Sequence, residues 1–258
     1  MASMPQRPDR PPAPCPSWVF SNNSDTHTAK DRCWFGTDYI PFRSYVTDIA
    51  GGSVEVIGMG TVNLATINSP TQNGLSSHGS LLLKNVLHTP AMLCNIIGRP
   101  VMDDYTVICD RTASDNAGFI VKNTDGCIMA YFKPMSQGPK LYQVQLGEPP
   151  LGHEFGISPL CPNGLYMIHA FWFQRERQRF EILKASGLTR ASGVEPLTEA
   201  ETGWFRRNRM SEKAIRVAYG LNSNRREHQE EGRAIMRILK SHAENEPKIG
   251  PQKNPHDC

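Results

Sequence analysis

The chain has 258 residues, seven cysteines and a formal net charge of +3. That length suits one large domain, or one domain with an accessory segment. No run of about 18 apolar residues occurs anywhere in it, which excludes a membrane-spanning helix.

Residues 1–16 hold six prolines. Such a stretch cannot bury enough apolar surface to offset its ordering entropy, so a disordered tail is expected. It lacks the apolar segment of a signal peptide. The cysteines (15, 33, 94, 109, 127, 161 and 258) are scattered, with no C-x-x-C and no close Cys/His cluster. Neither a zinc site nor a disulfide framework follows. The expectation is reduced thiols in an intracellular protein, cytoplasmic or nuclear, with no cofactor and no metal.

From Trp18 to about Leu146 the apolar pattern has period two, broken by turn residues. The runs 54–64, 80–87, 105–109, 118–122, 127–132 and 141–146 read as strands. Asp125-Gly126 suits a hairpin turn, because glycine accepts a positive φ. Gly58 and Gly60 lie inside a strand pattern, where glycine marks a bulge or a barrel bend. Residues 68–79 read as a surface loop. Asp103-Asp104 reads as a solvated turn, since adjacent side chains diverge.

After Pro149-Pro150 the period changes. Residues 165–184 carry aromatic and apolar residues near helical spacing, with Gly187 as a stop. The aromatics Tyr166, Phe171, Trp172 and Phe173 are expected to pack a helix onto the β domain. Thr198-Glu199-Ala200-Glu201 is a capping box. Ser211-Glu212 opens a short helix ending at Gly220. Residues 224–243 read as a charged helix with Ile235, Ile238 and Leu239 on one face. Residues 244–258 are expected to be a disordered tail.

Residues 1–169 carry 11 basic against 13 acidic side chains, and residues 170–258 carry 17 against 12. The later part is basic, but its charges are interleaved. A solvated helical surface explains that better than a nucleic-acid footprint. Weak nucleic-acid binding through the basic helices stays as an alternative. No Walker A motif, no G-x-G-x-x-G after a strand and no H-E-x-x-H occurs.

Four segments carry a family resemblance. Trp18-Val19-Phe20-Ser21-Asn22-Asn23-Ser24-Asp25-Thr26-His27 resembles the start of the protease domain in copia-type retrotransposon polyproteins: W, two apolar residues, D-S-G-A, then a D-H pair or similar. Gly58-Met59-Gly60-Thr61-Val62 is similar to that family's G-x-G-T-V strand. Leu83-Lys84-Asn85-Val86-Leu87-His88-Thr89-Pro90, with Leu93 and Asn95, resembles its L-x-N-V-L-Y/H-x-P-x-L-x-x-N-L run. Asn95-Ile96-Ile97-Gly98-Arg99 is similar to the apolar-apolar-Gly element beneath retroviral protease active sites. The resemblance spans about residues 18–110.

A helical region over 160–243, whose aromatic face needs a partner, is expected to pack on the β domain and leave the protein a monomer. The resemblance implies that this β domain is a retropepsin-like small β-barrel over 17–148, in an α+β fold. It also implies a missing chemistry. Retroviral-type proteases need two aspartates sharing one proton, each in an Asp-Ser/Thr-Gly loop. Here Ser21, Asn22 and Asn23 stand at those positions, and the chain holds no Asp-Ser-Gly or Asp-Thr-Gly. Serine does not ionise near neutral pH, so the dyad cannot form. No catalytic residue is therefore assigned. On an extended chain Ser21, Asp25 and His27 would share a face, but no nucleophile elbow accompanies them. The bland expectation for 21–27 is a polar loop. The implied role is a non-catalytic binding or assembly module with an unknown protein partner and no membrane. An active aspartic protease with a non-standard site is the alternative.

Overall fold

The computed structural model describes residues 13–48, 51–71, 74, 77–110, 112, 116–135, 140–185, 193–219, 221 and 223–245. The expected tails over 1–16 and 244–258 fall largely outside these residues, as do Gly187 and Gly220. The fold is α+β, with strands early in the chain and four α-helices late. The chain divides into two compact units, Met1–Gln178 and Arg179–Cys258.

In the first unit, β1 (Trp18–Ser21), β2 (His27–Ala29), β3 (Ile40–Thr47), β4 (Ser53–Ile67), β5 (His78–His88) and β6 (Asn95–Gly98) share a sheet with β10 (Tyr142–Gln143). The order is β10-β1-β6-β2-β5-β4-β3. Period-two patterning builds the outer part of the long β4–β5 hairpin: Val62, Leu64, Leu81 and Leu83 are buried and alternate with more exposed neighbours. The register slips between Gly60 and Val62, the bulge expected of those glycines. A Cβ on Gly58 would sit 2.1 Å from the Tyr39 hydroxyl oxygen, so the ring occupies the space a side chain would need.

Strands β7 (Tyr105–Cys109), β8 (Gly118–Lys122) and β9 (Ile128–Tyr131) form a second, antiparallel sheet. Gly126 takes φ 70° in the β8–β9 turn, as a hairpin there requires. Trp18, Ile96, Ile97, Leu87, Ile120 and Phe132 are completely buried, and Trp18 packs edge-on to Trp34 at 5.4 Å.

The helix expected over 165–184 is shorter than its pattern. Residues 165–173 are not helical, and α1 runs Gln174–Ala185. Thr47 and Phe171 exchange both backbone hydrogen bonds across a β-bridge (2.9 and 3.0 Å). Sheet-edge pairing has overridden helical spacing, which is a weak prior for β-favouring aromatics. Of the aromatic cluster only Trp172 is buried, and Leu165 is 97% exposed.

The second unit holds α2 (Glu199–Arg207), α3 (Glu212–Ala218) and α4 (Arg226–Asn245). The capping box forms as expected: Thr198 accepts from the Glu201 amide, and Glu201 accepts from the Thr198 amide. Ser211 caps α3 through the Ala214 amide. Ile235, Ile238 and Leu239 are buried along α4. Helix α2 ends in a Schellman motif: Met210 N donates to Phe205 O (2.9 Å) and Arg209 N to Arg206 O (3.1 Å). The left-handed position of that motif, normally glycine, holds Arg209 at φ 56°.

An L side chain pays about 1 kcal/mol in that conformation. Arg209→Gly is therefore expected to stabilise the protein by roughly 0.5–1 kcal/mol after the entropy of the freer unfolded chain is deducted. A urea midpoint unchanged or lowered by the substitution contradicts this.

Candidate functional site

The position expected for catalytic aspartate is the end of β1. Strand β1 runs parallel to β6, with Ser21 opposite Gly98. The chain then turns sharply, Ser24 N donating to Ser21 O (3.1 Å), and re-enters the sheet as β2. A polar loop was the expectation for 21–27. Instead Ser24, Thr26 and His27 are buried, and only Asn22 and Asn23 face solvent. The physical reason is close approach: a Cβ on Gly98 would lie 2.2 Å from Thr26 O and 3.0 Å from Ser24 O. The bare glycine lets the turn sink onto β6.

Burial of so many polar groups demands partners. Residues 168–177 supply them, lying along the turn as a strap. Ser21 Oγ donates to Ile168 O at 2.8 Å. Ala170 N donates to Ser24 Oγ (3.0 Å), and Asp25 N donates to Ala170 O (3.1 Å). Trp172 N donates to Asp25 Oδ1 (2.8 Å), while Arg177 Nη2 meets Asp25 Oδ2 at 3.0 Å and Asp25 O at 3.1 Å. The far side is anchored too. Trp172 Nε1 donates to Ser44 Oγ (2.9 Å), whose hydroxyl donates to Glu176 Oε2 (2.8 Å). The Arg177 guanidinium lies 4.9 Å from the Trp172 ring centre.

His27 is tied elsewhere. Gly98 N donates to its Nδ1 at 3.0 Å, so the neutral ring carries its proton on Nε2. Burial pushes the His27 pKa down to about 4. His88 is a second buried neutral imidazole, lowered to about 3 by burial and by the nearby Arg32 charge. The Tyr39 hydroxyl contacts its Nδ1 (2.8 Å), and its Nε2 donates to Lys30 O (3.1 Å).

Ser21, Asp25 and His27 are thus close in sequence but bonded to three different partners. The turn also breaks the extended geometry in which they would have shared a face. No hydrogen bond links any two of them, so the arrangement does not relay a proton from serine to histidine to carboxylate. Asp103 and Asp104 remain at the surface, Asp104 paired with Lys84 at 2.8 Å.

A cavity of about 340 Å³ opens beside the turn, lined by His27, Lys84, Val101, Asp104 and Arg177 among others. Its cations already pair with its carboxylates, Lys84 with Asp104 and Arg177 with Asp25. Among the described residues no group of three or more His, Cys, Asp or Glu side chains is placed to hold a metal, and no helix is long and apolar enough to cross a membrane.

The strap residues were not visible as site residues in the sequence. They lie 145 to 152 positions from their partners in the turn, and no local pattern marks such a pairing. No family model, curated protein or solved structure matches the chain.

Two outcomes are expected. Gly98→Ala should cost about 3 kcal/mol, the upper end for overpacking, because the atoms it meets are backbone and cannot rotate away. A thermal midpoint unchanged in this variant contradicts the packed-turn account. For pH, both histidines have folded pKa values below the unfolded value, so the unfolded state takes up protons first. Their contribution to stability is complete above about 6.5 and is lost as pH falls toward 4 and then 3. Going from pH 7 to 5 should cost roughly 2 kcal/mol per histidine, seen as a lower urea midpoint. His27→Gln should remove about half of that dependence; a midpoint flat across this range contradicts neutral burial.

Proposed function

We propose that this chain is a non-catalytic protein derived from a retrotransposon aspartic protease domain, working as a binding or assembly module. The observation that carries the reading is Ser21. It stands where the family has its catalytic aspartate, and its hydroxyl donates to Ile168 O at 2.8 Å. A carboxylate in that place would face a carbonyl oxygen, which offers it no proton. A hydroxyl fits, and the strap closes over it.

Two features support a retropepsin-like barrel as the ancestry. Strand β1 lies parallel to β6 with Ser21 opposite Gly98, which brings the first and last of the four resembling segments side by side. The G-x-G-T-V segment forms the bulged part of β4, pairing with the third segment on β5. The alternative, proteolysis through Asp25, is disfavoured by geometry. Both carboxylate oxygens are engaged, one by the Trp172 amide and one by Arg177, so neither is left to activate water.

A binding role follows by elimination. Purified protein is expected to show no pepstatin-sensitive cleavage of a peptide library from acid to neutral pH. Ser21→Asp alone should not create activity, because Asn22 and Asn23 also depart from the motif and the strap stays in place. Cleavage that vanishes in Asp25→Ala would overturn the reading.

A further inference from the structure

Along α3 and α4 of the helical unit, five basic side chains are ion-paired among the described residues. Arg237 pairs with Glu201 (2.8 Å), Arg216 with Glu212 (2.8 Å), Arg226 with Glu230 (2.9 Å) and Lys240 with Glu244 (2.8 Å), while Arg233 lies 3.9 Å from Glu212. The α2–α3 corner is different. Arg206, Arg207, Arg209 and Lys213 are all exposed and, among the described residues, none has an ion pair or a side-chain hydrogen bond. Four unpaired cations fall within eight residues. From these we infer that the α2–α3 corner binds the phosphate backbone of double-stranded DNA.

Helix stability does not account for the cluster. The dipole favours cations in the last turn of α2, which covers Arg206 and Arg207. It does not favour Lys213, in the first turn of α3. Nor does it explain Arg209, which occupies a left-handed position where glycine is the unstrained choice. A guanidinium has been kept there against its backbone preference, and an outlier of this kind points to function.

The flanking chemistry selects the polyanion. On α3 the exposed residues beyond Lys213 include Ala214, Val217 and Ala218. Small side chains let a helix approach a surface closely, and the B-form major groove admits a helix. Single strands need aromatic platforms. Here Phe205 and Tyr219 are buried, and Trp204 is half-buried with the Lys240 ammonium 5.9 Å from its ring centre. The major groove of A-form RNA is too narrow for side chains to read. A lipid surface needs several large apolar residues to insert, and on α3 Val217 alone is large, apolar and exposed. The inference rests on this unit alone and is independent of the protease reading.

Neutralising about four phosphates gives a slope of log affinity against log salt of about −3.6. Affinity should then fall roughly 100-fold between about 50 and 200 mM salt. The test is fluorescence anisotropy of the full chain with a labelled duplex of about two helical turns. Expected is binding at about 50 mM salt with that slope. Combining Arg206→Ala, Arg207→Ala, Arg209→Gly and Lys213→Gln should lower affinity at least about tenfold and flatten the slope toward zero. Arg209→Gly alone keeps the fold intact, since it relieves strain, yet should reduce the slope by about 1. Three results would each overturn the inference: no binding at low salt, equal binding by the fourfold variant, or tighter binding to single-stranded RNA or to vesicles containing anionic lipid than to the duplex.

Discussion

The absence of a side chain at Gly98 is the constraint on which the rest of the first unit depends. Backbone oxygens of Thr26 and Ser24 occupy the volume a Cβ would need. That contact lets β1 and β2 run on opposite sides of β6 with a tight turn between them. It also creates a debt of hydrogen bonds. A turn pressed onto a sheet has polar groups on every side and water on only one.

The strap settles that debt. Ser21, Ser24 and Asp25 of the turn meet groups from residues 168–177, and the strap's own backbone finds Thr47 on the opposite edge of the sheet. A buried donor or acceptor left unmade costs about 1–3 kcal/mol, more than a typical bond contributes when formed. The network is therefore held as a set: losing Ser24 or Asp25 would orphan amides on the strap, and losing the strap would orphan the turn. Charge follows the same logic. Asp25, largely shielded from water, is matched by Arg177, which also stacks on Trp172. Both carboxylate oxygens of Asp25 are engaged as a result.

Much of this fold could be read from sequence because its causes are local. Period-two runs became β4, β5, β7 and β8, and the capping box at Thr198 and the cap at Ser211 formed where their residue types placed them. The glycine bulge in β4 was legible for the same reason. The failures share a cause as well. Residues 165–173 have helical spacing, yet their backbone pairs with partners more than 120 positions away. The turn over 21–27 looked polar and therefore exposed, but its burial is decided by Gly98, about 70 residues on. Strand β3 went unrecognised because polar Ser44 takes a buried place in its alternation and aromatic Tyr45 an exposed one. That the chain holds no Asp-Ser-Gly or Asp-Thr-Gly was legible at once. The hydroxyl's partner was not, because nothing near Ser21 in the chain names Ile168.

The two units handle charge in opposite ways, and the difference has a physical reading. Around the turn, exposure is low and every cation must find a partner, because an unpaired buried charge is far costlier than a surface one. On the helical unit exposure removes that demand, so pairing there is optional and worth at most about 1 kcal/mol. Arg216, Arg226, Arg233 and Arg237 are paired even so. Four neighbouring cations without a pair set the α2–α3 corner apart from the paired basic residues of α4. One of them, Arg209, also sits in a left-handed backbone position, where its side chain costs the helix end stability instead of adding to it.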